Sequence, residues 1–262
     1  MKNVTTEATK LLKQYYSRYG GFWVYPDMLD YCYLVNPYFN RSKIIDEMQD
    51  NFRMLVSEYP AGMGVNSQLA SECWGLKPEY IIPGNGAAEL IKALMENLEG
   101  KVGVVRPTFE EYPNRLPDER VITFVPQNDT FRYTADDLIM FFGENRVENL
   151  LLINPDNPSG NFIQVDGIHK VAQWCEDNDI RFVLDESFVD FSVGYENNTF
   201  LRNKLLERYP HMCVMKSISK SYGVPGLRLG ILCSADTSLI SRMKKQVSIW
   251  NINSFAEFFM QI

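Results

Sequence analysis

Ser217-Ile218-Ser219-Lys220-Ser221-Tyr222-Gly223-Val224-Pro225-Gly226-Leu227-Arg228-Leu229-Gly230 is the stretch on which the reading of this chain turns. A lysine directly after an apolar run, flanked by hydroxyls and followed eight residues later by an arginine amid three glycines, is poor material for regular helix and costly to keep as plain loop. The combination makes sense if Lys220 forms an imine while Ser217, Ser219 and Arg228 hold a phosphate dianion.

Working outward, Met212 to Lys216 precedes this stretch and Leu229 to Cys233 closes it, and both read as strands. Five more such runs precede them: Tyr80 to Ile82, Val102 to Arg106, Val121 to Val125, Leu150 to Asn154 and Arg181 to Asp185. Several are apolar at every position, as in strands covered on both faces. Between them, Leu90, Ile91, Leu94, Met95 and Leu98 form one helical stripe, and Ile168, Val171, Ala172 and Cys175 another. The pattern predicts an α/β fold with a mostly parallel seven-stranded sheet. Ligands of such sheets sit beyond the carboxyl ends of the strands. There stand Gly84-Asn85-Gly86, Pro107-Thr108-Phe109, Pro155-Asp156-Asn157-Pro158, Asp185-Glu186 and the lysine segment.

Composition narrows the classes. A chain of 262 residues, 45% apolar and 13% aromatic, can bury a full core. With 26 basic against 33 acidic side chains and a net charge of -7, it is not built to grip nucleic acid or an anionic membrane through bulk charge. Cys32, Cys73, Cys175, Cys213 and Cys233 form no C-x-x-C pair, which points to reduced thiols and no metal cage. The polar N-terminus and the shortness of every apolar run point to a cytoplasmic protein.

The turn Gly84-Asn85-Gly86 leads into a helix, so the backbone N–H groups of Gly86, Ala87 and Ala88 face a phosphate. A dinucleotide fold would need a third glycine where Glu89 stands and an acidic residue where the next strand ends at Arg106; no Walker motif occurs either.

The lysine segment matches the S-x-S-K-x-x-G-x-x-G-x-R-x-G pattern of class I/II aminotransferases, and from about Asn36 onward the chain resembles fold-type I pyridoxal-phosphate (PLP) enzymes, in particular the histidinol-phosphate aminotransferase and threonine-phosphate decarboxylase branch. The resemblance implies the three-layer, aspartate aminotransferase-like large domain and a PLP cofactor. It implies that Lys220 carries the cofactor and then serves as general base, that Asp185 pairs with the pyridine nitrogen, and that the Tyr112 ring stacks on the pyridine. It further implies that Asn157 in NPDNPSG hydrogen-bonds the phenolic oxygen, and that Tyr59, before Pro60, reaches the phosphate of a neighbouring subunit in a homodimer. Substrates would be an amino acid or amine and a keto acid, with amino transfer first and decarboxylation second. A non-catalytic binding module, a fragment of a multifunctional enzyme and a dinucleotide oxidoreductase are the alternative readings.

Two departures stand out. Asp185-Glu186-Ser187-Phe188 has Phe188 where the family commonly has tyrosine, which removes one donor to the phenolic oxygen. Family members also continue into a C-terminal small domain that grips the substrate carboxylate. The expected organisation is therefore a lead-in over 1–38, aromatic-dense from Tyr15 to Tyr38, and a shortened cofactor-binding domain over 39–262 that turns over weakly or not at all. Phe255, Phe258, Phe259 and Ile262 form a terminal apolar stripe with no visible cap or packing partner. His169 and His211 lie off the constellation.

Overall fold

The computed structural model describes residues 33–262 together with Tyr15, Asp27 and Leu29. The aromatic-dense segment before residue 33 falls largely outside the described residues. The chain divides into Met1–Leu34 and Val35–Ile262, and the second unit contains the sheet.

Its strands are β1 (Ile81–Asn85), β2 (Val102–Val105), β3 (Val121–Phe124), β4 (Asn149–Ile153), β5 (Arg181–Asp185), β6 (Met212–Ser217) and β7 (Leu229–Cys233). They form one sheet in the order β1-β7-β6-β5-β4-β2-β3. All neighbours run parallel except β7, which is antiparallel to both β1 and β6. Every predicted run is a strand, but β1 starts after Tyr80 and continues to Asn85. Pro83 and Gly84 read as breakers, yet β1 is an edge strand hydrogen-bonded on one side only, where a missing N–H costs little.

The unbroken apolar runs are explained by burial on both faces. Leu150 and Leu152 of β4 enter one core with Leu138 and Phe142 of the Ala135–Glu144 helix and Val171 and Cys175 of the Val165–Asp177 helix. Leu151 and Ile153 point the other way, toward Leu90 and Leu94 of the Ala87–Asn97 helix and Ile240 and Met243 of the Thr237–Gln246 helix. The period-2 alternation of the strand thus fills both of the outer layers.

The terminal stripe differs from expectation. The Ser254–Gln261 helix is capped, because the Asn253 side chain accepts a hydrogen bond from the Ala256 N–H. It packs through Ala256 and Met260, while Phe255 meets Phe52 and Phe259 meets Tyr222. The smaller buried residues between the phenylalanines were the signal. Among the described residues, no helix is long and apolar enough to cross a membrane.

Candidate active site

The reversal of β7 brings the site together. Leu229 pairs with Asn85 at the end of β1, and Gly230 pairs with Ser217 at the end of β6, so Arg228 stands at the carboxyl edge of the parallel strands. Gly86 has φ of 74° and Arg228 φ of 56°, both left-handed. A Cβ on Gly86 would lie 2.5 Å from Arg228 Nη2, so the guanidinium rests directly on that glycine. A Cβ on Gly230 would lie 2.6 Å from the Ala87 nitrogen, which shows how closely β7 abuts the start of the Ala87–Asn97 helix. The buried Ser219 hydroxyl bridges the Leu229 main chain, accepting from its N–H at 3.3 Å and donating to its carbonyl at 3.4 Å. The Ser217 N–H donates to the Ser187 hydroxyl. A bare glycine, a helix N-terminus carrying Ala87 and Ala88, two serines and one guanidinium thus share an edge, a donor set that suits a phosphate dianion.

Asp185 ends β5 and is 4% exposed. Its Oδ2 accepts from the Tyr112 hydroxyl at 2.7 Å and its Oδ1 from the Ser187 N–H at 2.8 Å. No cation lies within ion-pair distance among the described residues, an arrangement that favours a cationic ring nitrogen as partner. Tyr112 is wholly buried, and burial together with the Asp185 charge pushes its phenol well above the ordinary value. The sequence suggested a stacking ring; the structure adds a hydrogen bond from its hydroxyl to Asp185.

Lys220 sits in a single helical turn, Ile218–Ser221, where the sequence suggested irregular backbone. Four residues complete one turn before Gly223, at φ 63°, ends it. The Lys220 ammonium lies 4.0 Å from the Phe188 ring centroid and 5.7 Å from that of Phe109, and makes no hydrogen bond or ion pair among the described residues. Burial pushes the lysine below its ordinary value, and the Asp185 charge opposes that shift. A larger neutral fraction near neutral pH makes the amine a better nucleophile. Asn157, half-buried in the turn after β4, has a side-chain amide without a protein partner among the described residues. A free amine, a carboxylate lacking a counter-ion and a glycine cradle under a guanidinium together fit pyridoxal phosphate.

Tyr59 does not join this cluster within the chain. It is 79% exposed and stacks on Trp250 at 4.5 Å. His169 and His211 are also elsewhere, beside Tyr209 and Phe200 and beside Glu176 and Asp179 respectively. Sequence reasoning missed several neighbours. Asn36 donates through its N–H to the Lys220 carbonyl at 2.9 Å and through Nδ2 to the Ser221 carbonyl at 3.0 Å, and Arg41 donates to the Gly223 carbonyl at 2.7 Å. The buried Lys216 and the half-buried Asp190 form an ion pair at 2.6 Å, and Glu186 accepts from the Thr199 hydroxyl and the Phe200 N–H. The unlikely charge of Lys216 inside an apolar strand was the one available signal.

Residues 64–259 match the family model for aminotransferase class I and II. The chain is 31% identical over 246 residues to CMP-5'-(3-aminopropyl)phosphonate synthase of Streptomyces rubellomurinus, covering 94% of this chain and 38% of the relative. It is 30% identical over 243 residues to L-serine phosphate decarboxylase of Sulfurospirillum multivorans, covering 89% of this chain and 62% of the relative. It therefore spans less than two thirds of the length of either relative. The structure of histidinol-phosphate aminotransferase from Clostridium acetobutylicum superposes with a TM-score of 0.74 over 89% of this chain and 68% of that one; at 23% identity the likeness is one of fold.

Proposed function

Because the chain belongs to the aminotransferase class I and II family, whose members depend on pyridoxal phosphate, we propose that it holds this cofactor on Lys220 and acts at the α-carbon of an amine or amino acid carrying a phosphate or phosphonate group. The observation that carries the reading is the Lys220 amine, unpaired among the described residues, over Phe188 and in the field of Asp185.

When bound, the cofactor supplies an electron sink for the pair released at the α-carbon. The chain's own residues set that sink. Asp185, fixed by Tyr112 and Ser187, holds a proton on the ring nitrogen. Gly86, Ala87, Ala88, Ser217, Ser219 and Arg228 hold the phosphate, and Asn157 is free to donate to the phenolic oxygen. Lys220 Nζ, below its ordinary proton affinity, moves a proton at the α-carbon. Phe188 offers an apolar ring face where a hydroxyl would add a donor.

The sequence reading put amino transfer first. The likeness to L-serine phosphate decarboxylase moves loss of the α-carboxylate ahead of it, and the fold shared with histidinol-phosphate aminotransferase supports amino transfer as the second reading. All three compared proteins carry phosphate or phosphonate in their names, which supports the substrate class. The test is to incubate the protein with pyridoxal phosphate and O-phospho-L-serine or O-phospho-L-threonine, following carbon dioxide and keto product separately. Carbon dioxide released by the wild type, in a slow or single turnover, and not by Lys220→Ala is the expected result. Keto product alone would establish the second reading, and failure of the cofactor to attach at Lys220 would sink both.

A further inference from the structure

Lys216 is a cation inside a buried strand, four residues before Lys220, and nothing in the chemistry above uses it. It is 6% exposed, and its ammonium meets Asp190 Oδ1 at 2.6 Å. Asp190 belongs to the short 3-10 turn Val189–Phe191, whose leading residue is Phe188. Its other ties to β6 lie on its N-terminal side: the Ser217 N–H donates to the Ser187 hydroxyl at 2.9 Å, and Val189 is buried against the core. The Glu186 N–H donates to the Met215 carbonyl at 2.8 Å, and the Val189 N–H donates to the Glu186 carbonyl at 3.1 Å. Phe191 packs on Phe188 at 6.2 Å, and Phe188 in turn presents its ring face to Lys220 Nζ at 4.0 Å. A continuous path runs from Lys216 through Asp190 and the turn to the ring beneath the reactive amine.

We infer that the Lys216–Asp190 ion pair is a positioning device: it clamps the Val189–Phe191 turn to β6, so that the Phe188 ring faces Lys220 and sustains the proton affinity of its amine. An ammonium over an aromatic face is stabilised relative to the neutral amine, and more so when water is excluded. The ring therefore offsets part of what burial takes from Lys220. The ionisable group whose charge acts on the amine is Asp185, which also favours the charged form and is hydrogen-bonded by Tyr112; behind the ring, Lys216 and Asp190 act on Glu186.

The inference rests on Lys220 being the reactive amine, and its sign separates it from a simple charge effect. Removing the Lys216 charge alone would relieve repulsion and raise the proton affinity of Lys220. Removing the clamp withdraws the ring and lowers it. The experiment is a pH profile of Lys220 labelling by an amine-reactive reagent without cofactor, read by peptide mass, repeated as an absorbance titration with pyridoxal phosphate bound. Phe188→Leu, Lys216→Met and the double variant Lys216→Met/Asp190→Asn are each expected to move the Lys220 midpoint down by roughly half a pH unit to one unit. In a Phe188→Leu background, Lys216→Met is expected to move it up instead. The double variant decides the matter if a single change strands a buried charge and unfolds the chain. An upward shift for Lys216→Met in the wild-type background, or no shift in the double variant, would overturn the inference. The labelling arm reads Lys220 without cofactor, so its outcome is distinct from a failure of cofactor attachment.

Discussion

Glu186 follows Asp185 in sequence and faces a different environment, as successive residues at a strand end do. Asp185 turns to Tyr112, while Glu186, 1% exposed, turns to Thr199 and Phe200. Burial pushes the Glu186 carboxyl up from its ordinary 4.5 to about 7, against the opposing pull of its donors and of Lys216. The folded chain therefore keeps a proton that the unfolded chain has already lost. Its contribution to stability is complete below pH 4.5 and disappears as the pH rises through about 7, a fall of about 3 kcal/mol. Glu186→Gln keeps an oxygen to accept from the Phe200 N–H and turns an NH2 donor to the Thr199 hydroxyl oxygen, without the charge. Urea unfolding midpoints of the wild type are expected to fall between pH 5 and pH 7.5, and those of the variant to stay level; equal slopes would contradict this assignment. Asp185 and Lys220 were legible in the sequence because each stands beside a strand end amid residues with no better use. Glu186 and Lys216 were not, because an acid next to an acid, or a lysine closing a strand, does not disclose which neighbours its side chain will meet.

Among the elements, β7 does the most to build the site. Seven apolar runs could be counted from the sequence because their burial on two faces leaves an unbroken pattern. Their direction could not, and the antiparallel course of β7 is what carries Arg228 to Gly86. The two glycine contexts here make opposite predictions. Gly86 has φ of 74° and a Cβ there would meet Arg228 Nη2 at 2.5 Å, so Gly86→Ala is expected to displace the guanidinium and weaken pyridoxal phosphate binding about tenfold or more. Gly143 lies within the Ala135–Glu144 helix with nothing within 4 Å of its Cβ position, so Gly143→Ala is expected to leave binding alone and add about 0.4–1 kcal/mol of stability. Cofactor titration and thermal unfolding of the two variants, side by side, check both. The cap on the terminal helix escaped the sequence reading for a related reason: Asn253 follows Asn251 and Ile252 without a helical period, and its side chain becomes a cap only once the turn is folded.

For the molecule as a whole, a net charge of -7 leaves phosphate binding to a local cluster of donors and not to bulk charge, and Arg228 is the one guanidinium the lysine segment provides. The resemblance gives Tyr59 a share in that task from outside, through a neighbouring subunit; among the described residues it is 79% exposed and its ring meets Trp250. Tyr59→Phe keeps the ring for that stack and removes the hydroxyl alone. A symmetric dimer in which each chain lends Tyr59 to the other has two sites, each built from both chains. Lys220→Ala and Tyr59→Phe chains should each bind pyridoxal phosphate poorly. Exchanged at equal amounts, half of the dimers would combine one of each, and one of their two sites would have Lys220 from one chain and Tyr59 from the other. Recovery to about a quarter of wild-type capacity is the expected outcome on that symmetry. Recovery that fails to rise on mixing, or wild-type affinity in Tyr59→Phe alone, would show that the phosphate is held within one chain by Arg228, the serines and the Gly86 turn.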